Sequence, residues 1–216
     1  MIYPYLHRHQ TYVLANGSIV PSVTQILQAV IGKPGLLVWA NGLGLQGVKL
    51  EDSNSHAFGI GTLLHALIEG SLRGEEVSTE GFSEEQIKQA QASFAQFLRW
   101  KDGKQIKPIF LEKPFVSEQY KYGGTIDALL EIDGSPTLVD WKTSNSISLD
   151  YKLQLAAYLI LLEEHGVKPE RVALLRLPKD GSEYEYFEAS AESHNARYRE
   201  PWLKALGWYY ALQGML

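Results

Sequence analysis

The chain has 216 residues, of which 45% are hydrophobic and 21% are charged, and its formal net charge is −5. This composition is typical of a globular protein with a substantial core, and the negative charge argues against a broadly basic coat for nucleic acid, although it leaves room for a local basic channel. The sequence contains no cysteine, which excludes disulfides, thiolate zinc sites and cysteine-ligated iron–sulfur clusters. Any metal must therefore be held by oxygen or imidazole.

The sequence has no apolar run of the roughly 18 residues that a membrane span needs. Its first residues, MIYPYLHRHQTYVL, also lack the apolar segment of a signal peptide. We therefore expect a soluble, intracellular, cytoplasmic protein that has no membrane partner.

The first 56 residues are predicted to form a hairpin and helices. Asn16-Gly17 is a dipeptide that accepts the positive φ of a tight turn, and Ser22 and Gln25 have the spacing of a capping box. The elements expected here are a hairpin over 11–20, a helix that Ser22 opens, a helix over about 36–48 and a polar loop over 51–55.

Hydrophobic periodicity predicts alternating helices and strands along the rest of the chain. The expected elements are helices over 57–72 and 83–100, strands over 106–117, 122–132 and 137–143, a helix over 149–164, strands over 171–177 and 183–189, and a helix over 191–212. This order implies an α/β (α+β) fold with a mixed sheet flanked by helices. We expect one domain over 1–216, comprising an N-terminal part over 1–56, a core over 57–190 and a C-terminal helix over 191–216.

Two of these strands contain charged residues where a buried strand normally has none. They are Asp127 in the second strand and Asp140 and Lys142 in the third. A four-residue loop between the strands would place Asp127 opposite Lys142, whereas a two-residue loop would place Asp127 opposite Asp140. Either loop brings the three side chains into one patch.

Two carboxylates in such a patch repel each other, and their repulsion raises a pKa unless a cation compensates. Lys142 supplies one positive charge. A divalent metal would supply two more, and ligation by oxygen alone favours Mg²⁺ or Mn²⁺ over soft metals.

Four short motifs appear in a fixed order around this patch. They are Gly61-Thr62 with His65, Gly124-x-x-Asp127, Asp140-Trp141-Lys142-Thr143, and Gln154 with Tyr158. In combination they resemble the PD-(D/E)xK nuclease superfamily, and in particular its RecB-type exonuclease branch, which includes phage and mitochondrial exonucleases. The resemblance spans roughly residues 59–164 and implies a restriction-endonuclease-like core preceded by a helical part.

The resemblance implies metal-dependent hydrolysis of DNA phosphodiester bonds, with roles in repair or recombination. Asp127, Asp140 and the backbone carbonyl of Trp141 would bind the metal with His65 as a further ligand, and Lys142 would orient or activate the attacking water. Gln154, Tyr158 and Thr143 would contact the nucleic acid or support the catalytic strand. Branch members often have an acid near Glu112, but its register to Asp127 is open.

The expected partner is DNA, as single strands or ends, with a homo-oligomer or a recombination or replication protein as further possibilities. Two alternatives remain open: a non-catalytic nucleic-acid-binding module of the same fold, and a structure-selective endonuclease. A buried ion-pair network that only fixes the strand register is the structural alternative for the charged patch.

A basic stretch lies just upstream of the patch and is interleaved with aromatic residues. It could be a track for nucleic acid in which the rings stack on bases, or simply a solvated face. The stretch comprises Arg99, Lys101, Lys104, Lys107, Lys113 and Lys121, with Trp100, Phe110, Phe115 and Tyr120 between them.

Overall fold

A computed structural model describes residues 11–32, 34–47 and 49–214. In the described residues, two short strands and four helices precede a sheet that is interrupted by one helix, and a last helix follows the sheet. In chain order the elements are β1 (Tyr12–Val13), β2 (Ile19–Val20), α1 (Val23–Val30), α2 (Pro34–Leu45), α3 (Leu50–Arg73), α4 (Glu84–Lys101), β3 (Ile106–Ser117), β4 (Tyr122–Ile132), β5 (Ser135–Lys142), α5 (Leu149–Glu164), β6 (Arg171–Arg176), β7 (Glu185–Ser190) and α6 (Ala191–Gln213).

The main sheet has five strands in the order β3-β4-β5-β6-β7. Neighbouring strands are antiparallel except β5 and β6, which are parallel. Parallel neighbours require a crossover, and α5 provides it. The predicted class, a mixed sheet flanked by helices, is confirmed.

Two apolar layers cover the sheet. On one side, residues of α1, α5 and α6 pack around strand residues such as Leu138 and Leu174. On the other side, residues of α3 and α4 pack around Trp141, Val139 and Ala173. Because both faces of β5 are covered, a charged side chain on this strand must lie at a gap in the cover or be paired.

The turn between β4 and β5 sets the register of the charged patch. Ile132 pairs with Ser135, so the loop has two residues, Asp133 and Gly134, which have φ values of 50° and 84°. Positive φ at both positions defines the tight turn that matches the twist of antiparallel strands. The two-residue alternative is confirmed, and the four-residue loop is wrong.

Two expectations about the N-terminal part need correction. The stretch 51–55 is helical and lies in the first turns of α3, because a run of polar residues forms a helix as readily as a loop when tertiary packing continues beyond it. The second helix ends at Leu45 rather than near residue 48, which lies outside the described residues. The boundary expected between residues 56 and 57 falls inside α3.

The N-terminal hairpin docks on the start of β4. Gly123 N donates to Pro21 O at 3.0 Å, and Ser22 forms an isolated bridge with Gly123. The Tyr12 hydroxyl lies 2.9 Å from Thr125 Oγ1. The segment that leads to Asp127 is therefore held by the hairpin as well as by the sheet.

None of the described helices is both long and apolar enough to cross a membrane.

Candidate active site

Strands β4 and β5 bring two buried carboxylates to the centre of the sheet. The ladder between them runs to Ala128 paired with Val139, and the next residues on each strand are Asp127 and Asp140. Asp127 Oδ2 accepts a hydrogen bond of 2.9 Å from Trp141 N, so this side chain occupies the position where a further ladder bond would otherwise form. Asp140 is fully buried and Asp127 is 8% exposed.

Strand β3 and helix α3 add a third carboxylate and an imidazole. Leu111 pairs with Ala128 and Lys113 with Ile126, so Glu112 lies opposite Asp127, which settles the register left open by the sequence. Glu112 has a φ of 46°, a conformation that is costly for a residue other than glycine and that often marks a functional position.

His65 lies between the two acids. Its Nδ1 atom is 3.3 Å from Glu112 Oε1 and 3.7 Å from Asp127 Oδ1. Candidate ligand atoms of His65, Glu112 and Asp127 all lie within 4.8 Å of one another. These three residues form the acid–histidine cluster of the site.

Lys142 neutralises the remaining carboxylate. Its Nζ atom lies 2.7 Å from Asp140 Oδ2, and its side chain is 16% exposed. The ammonium also lies 4.9 Å from the centre of the Tyr151 ring, within the range of a cation–π interaction. Lys142 is thus fixed by two neighbours and still reaches the surface of the site.

Burial dominates the electrostatics of both aspartates. It raises the pKa of Asp127 against the opposing charge of His65, and it raises the pKa of Asp140 to about 6 against the opposing charge of Lys142. In each case a neighbouring carboxylate adds to the rise, from Glu112 for Asp127 and from Asp127 for Asp140. The protein therefore maintains a concentration of negative charge that it does not fully compensate.

The two basic groups respond in the opposite sense. Burial lowers the pKa of His65, but the charges of Asp127 and Glu112 outweigh it and raise this pKa to about 9. Burial likewise lowers the pKa of Lys142, and the charges of Asp140 and Asp127 again outweigh it, so that the net shift is upward. Both groups carry protons at neutral pH when only protein atoms surround them.

The donor set fits a hard divalent cation. Carboxylate oxygens and one imidazole are ligands that Mg²⁺ and Mn²⁺ accept, and the cluster is compact. Asp140 Oδ1 is fully buried and has no hydrogen-bond partner among the described residues, which is costly unless another group satisfies it.

The carbonyl of Trp141 faces the same region. Lys142 O accepts from Leu177 N of the segment after β6 at 2.7 Å, so Lys142 is bonded on the β6 side. Backbone groups of successive strand residues alternate sides, and Trp141 N already points to Asp127. The Trp141 carbonyl therefore points to the β4 side of the strand, where Asp127 lies.

Gln154 and Tyr158 support the strand from α5. Gln154 Nε2 donates to the Tyr158 hydroxyl at 2.6 Å, and both residues are almost fully buried. The Tyr158 ring lies directly on Gly124: a Cβ atom there would be 2.7 Å from Tyr158 Cε1 and 3.2 Å from Val23 Cγ2. The glycine of the Gly124-x-x-Asp127 motif is required because the tyrosine of the later motif covers it.

Thr143 meets α3 at the glycine of the upstream motif. A Cβ atom on Gly61 would be 3.7 Å from Thr143 Oγ1, an ordinary van der Waals contact. His65 lies one helical turn further along α3 and is thereby aligned with the end of β5. A chain of contacts thus connects the four motifs of the sequence.

Two aromatic residues of the basic stretch are too deeply buried to stack on bases. Trp100 is 1% exposed and Phe115 is 5% exposed, so these two rings belong to the core and cannot stack on nucleic acid. Their interleaving with lysines is instead cation–π packing, as in Lys113, whose Nζ lies 5.3 Å from the Phe115 ring centre. The prediction that these two rings stack on bases is wrong.

Sequence reasoning missed Tyr12 at the site and gave no role to Tyr151, which it places alongside Gln154 and Tyr158 on one helix face. Tyr12 packs on Gly123, and a Cβ atom on that glycine would overlap its ring. No sequence signal could place this residue, because the docking of the hairpin on β4 is a tertiary contact. Tyr151 precedes Gln154 and Tyr158 by three and seven residues, a helical spacing that was available as a signal.

A family model assigns the class of the chain. The model of the PD-(D/E)XK nuclease superfamily matches residues 39–211. This match covers well over half of the chain, which therefore belongs to the PD-(D/E)XK nuclease superfamily. The resemblance inferred from the motifs is confirmed at this level.

Individual relatives share parts of the sequence or fold. The CRISPR-associated exonuclease Cas4 of Francisella tularensis subsp. novicida is 38% identical over 68 residues, which are 31% of this chain and 35% of that protein. The crystal structure of LHK-Exo in complex with dAMP has 12% identity and a TM-score of 0.41, and the match covers 89% of this chain and 88% of the other. A crystallised protein of Eubacterium rectale has 14% identity and a TM-score of 0.41, with coverages of 71% and 68%.

Proposed function

We propose that this chain is a metal-dependent nuclease that hydrolyses phosphodiester bonds of DNA. The observation that carries the proposal is the conjunction of the acid–histidine cluster with the buried Asp140–Lys142 pair in a chain of a nuclease superfamily. A buried network that served only stability would gain from being fully satisfied, and Asp140 Oδ1 has no hydrogen-bond partner in the part of the chain that the structure describes.

The cluster would hold one or more divalent cations, most simply Mg²⁺ or Mn²⁺. His65, Glu112 and Asp127 would be the ligands, together with Asp140 and the Trp141 carbonyl. A bound cation supplies Lewis-acid polarisation of a phosphoryl oxygen and lowers the pKa of coordinated water. Glu112 joins the expected ligands because it lies opposite Asp127 and contacts His65.

Lys142 would act on the reacting phosphate itself. Its ammonium is held by Asp140 and Tyr151 and is partly exposed towards the site. In this position it would orient the attacking water and stabilise the negative charge that grows on the phosphoryl oxygens. A fixed cation costs no reorganisation during the reaction, so its position contributes directly to the rate.

Asp127 and Tyr158 would hold the geometry. Asp127 Oδ2 is anchored to Trp141 N, which leaves its other oxygen directed towards His65. Tyr158, fixed by Gln154, would keep Gly124 and the strand behind Asp127 in place. Displacements of about 1 Å at such positions cost about 10²-fold in rate.

We propose exonuclease action on ends or single strands as the mode of cleavage. The motifs resemble the RecB-type exonuclease branch, and the match to an exonuclease of the Cas4 type supports the same mode. We further propose that residues 1–216 act as one domain, because the N-terminal hairpin and α1 pack directly against β4 and α5.

The test is degradation of end-labelled single- and double-stranded DNA in Mg²⁺, Mn²⁺ or EDTA. Wild type is expected to release label only with a divalent metal, and Lys142→Ala to lose about 10²-fold or more of the rate. Lys168→Ala is the matched control, because Lys168 is exposed and lies at the opposite end of β6.

Product ladders from each labelled end report the mode and polarity of cleavage. Internal products from a circular substrate would instead indicate an endonuclease. Binding without cleavage under every metal condition would overturn the proposed activity and favour a non-catalytic module.

A further inference from the structure

A polar cavity lies beside the proposed active site, at the end of the sheet where β5 and β6 terminate. Its volume is about 440 Å³. Two cations, three hydroxyl groups, one amide and one acid line it. These residues are Arg176 and Lys179; Thr143, Ser144 and Ser182; Asn145; and Asp180.

The parallel register connects this cavity to the catalytic lysine. Arg176 is the register partner of Lys142, and paired residues on neighbouring strands are about 4.8 Å apart. Thr143 follows Lys142 directly and lines the cavity. An anion held in the cavity would therefore lie close to a phosphate held at Lys142.

Lys179 is a half-buried cation without a counter-ion. It forms no ion pair with any described residue, and burial is the sole influence on its pKa, which is lowered. The adjacent acid, Asp180, accepts hydrogen bonds at Oδ1 from Ser182 N at 2.9 Å and from Ser182 Oγ at 2.7 Å, and its charge acts on Arg176 rather than on Lys179. A desolvated and unpaired ammonium is costly, so an anion supplied from outside would stabilise it.

A single hydrogen bond within the described part of the chain orients the guanidinium of Arg176. Its Nε donates to Glu185 Oε2 at 2.9 Å across the β6–β7 pair. Its two Nη groups have no hydrogen bond among the described residues. A guanidinium fixed on one side with its remaining donors free is suited to a phosphate.

Buried polar groups of α4 hold the turn that carries Lys179. Ser93 Oγ donates to Pro178 O at 3.0 Å, and Gln96 Nε2 donates to Gly181 O at 2.8 Å. Both of these side chains are almost fully buried. An ordinary surface turn needs no such support, and the two bonds fix the place from which Lys179 extends.

We propose that Arg176 and Lys179 form a second phosphate-binding subsite, which holds a phosphate of the nucleic-acid strand next to the one at Lys142. This inference rests on the proposed function and deepens it, since it gives the enzyme a hold on its substrate that is independent of the metal cluster. The subsite takes either an internal phosphodiester or a terminal phosphate monoester of that strand.

The test measures strand binding separately from cleavage. The full chain with Asp140→Asn, in Mg²⁺, binds fluorescent single-stranded oligonucleotides that begin with a 5′-phosphate or a 5′-hydroxyl, and anisotropy gives Kd over a range of salt. Adding Lys179→Gln is expected to weaken binding and to reduce the slope of log Kd against log salt by about 0.7, the value for one phosphate contact on a single strand. Lys179→Arg should restore the slope.

Lys168→Gln is the matched control, since it removes the same charge at the opposite end of β6. A larger effect of Lys179→Gln on the 5′-phosphorylated strand assigns the subsite to a terminal phosphate, and an equal effect on both strands assigns it to an internal one. Equal slopes for Lys179→Gln, Lys168→Gln and the parent overturn the proposal.

If Lys179→Gln does not fold, Arg176→Gln tests the same cavity, because it removes the other cation. An unchanged slope in that variant also overturns the subsite. Cleavage by the chain without Asp140→Asn is assayed in parallel. A chain that never cleaves contradicts the proposed function, whereas the salt slope decides on the subsite in either case.

Discussion

At the scale of single residues, the site places charged side chains in a buried region, where they contribute least to stability. Three carboxylates, Glu112, Asp127 and Asp140, share a largely buried region with one ammonium and one imidazole. Burying charges costs several kcal/mol per ion, and apolar side chains of similar volume would stabilise the sheet better. The arrangement is understandable if these groups bind a cation and a phosphate.

Gly124 is a residue where packing alone predicts a large effect. In Gly124→Ala the new Cβ would meet both Tyr158 and Val23, and neither can move far, because Tyr158 is buried and hydrogen-bonded to Gln154. We expect the free energy of unfolding to fall by about 1–3 kcal/mol, the usual cost of overpacking. Urea unfolding of the purified variants measures it.

Gly207→Ala is the matched control for this substitution. Gly207 lies in α6, and a Cβ atom there would have no atom of the described residues within 4 Å, apart from its chain neighbours and the helix backbone. Alanine in an exposed helix should raise stability by about 0.5–1 kcal/mol. Equal effects of the two substitutions would contradict the packing argument at Gly124.

His194 should make stability depend on pH. It is 2% exposed, its Nε2 hydrogen-bonds Lys152 O at 2.9 Å, and burial lowers its pKa from 6.5. As the pH falls through about 6.5, His194 takes up a proton in the unfolded chain, whereas burial keeps it neutral to a lower pH in the folded protein. The contribution of His194 to the free energy of unfolding is therefore fully present above pH 6.5 and decreases as the pH drops below it.

The measurement is urea unfolding of wild type and His194→Gln between pH 8 and pH 5. Other titratable groups contribute equally to both proteins, so the difference between the two curves isolates His194. The wild type should lose more stability than the variant below pH 6.5. Parallel curves would show that His194 takes up its proton equally well in the folded state.

At the scale of elements, the two-residue turn between β4 and β5 determines which acids meet. Gly134 has a φ of 84°, which disfavours any residue with a Cβ. We expect Gly134→Ala to lower the free energy of unfolding by about 1–2 kcal/mol, the cost of a left-handed conformation for an L-residue. Nuclease activity should persist at temperatures where the variant is folded, because the register is retained.

Insertion of one residue after Gly134 is the informative comparison. It would shift the pairing by one position and turn Asp140 away from Asp127. Activity should then be lost even where circular dichroism shows folded protein. An active insertion variant would mean that the register of this hairpin does not position the site.

Most helices and strands are predictable from the sequence, and the errors in the predicted elements have physical causes. Helical periodicity identified α4, and the sequence also located α5 and the five sheet strands. Ser22 and Ser83 form the capping boxes that open α1 and α4. The helical state of residues 51–55 was missed because a run of polar residues carries no periodic hydrophobic signal. The turn length was left open because Ser135 and Pro136 belong to a strand only through their pairing with β4.

The candidate site was also predictable in part from the sequence. The sequence identified Asp127, Asp140, Lys142 and His65 through their motifs, but the position of Glu112 depended on the register of β3 against β4, which no spacing encodes. Arg176 and Lys179 gave no signal, because the parallel pairing of β5 with β6 and the contacts of α4 exist only in three dimensions.

At the scale of the whole molecule, the site joins parts of the chain that have little local reason to associate. His65 comes from α3, Glu112 from β3, Asp127 from β4 and Asp140 from β5. A cation bound between them would link helix and sheet, and it would bind the native state only, since the unfolded chain does not bring these groups together.

Divalent metal should therefore raise the melting temperature of the full chain. At a concentration 100 times Kd the gain is about 2.7 kcal/mol, which for a protein of this size corresponds to about 5–10 °C. The chain is freed of metal with EDTA, dialysed, and melted with and without Mg²⁺ or Mn²⁺. Asp127→Asn should lose most of the shift, because it removes a charge from the centre of the cluster.

Glu131→Gln is the matched control, since Glu131 lies on the same strand four residues further on and outside the cluster. It removes the same charge and should keep the full shift. The same shift in Asp127→Asn and Glu131→Gln would mean that metal stabilises the protein through its general charge rather than at this site. No shift in wild type at millimolar metal would contradict a metal centre formed by these residues, and with it the role proposed for the acid–histidine cluster.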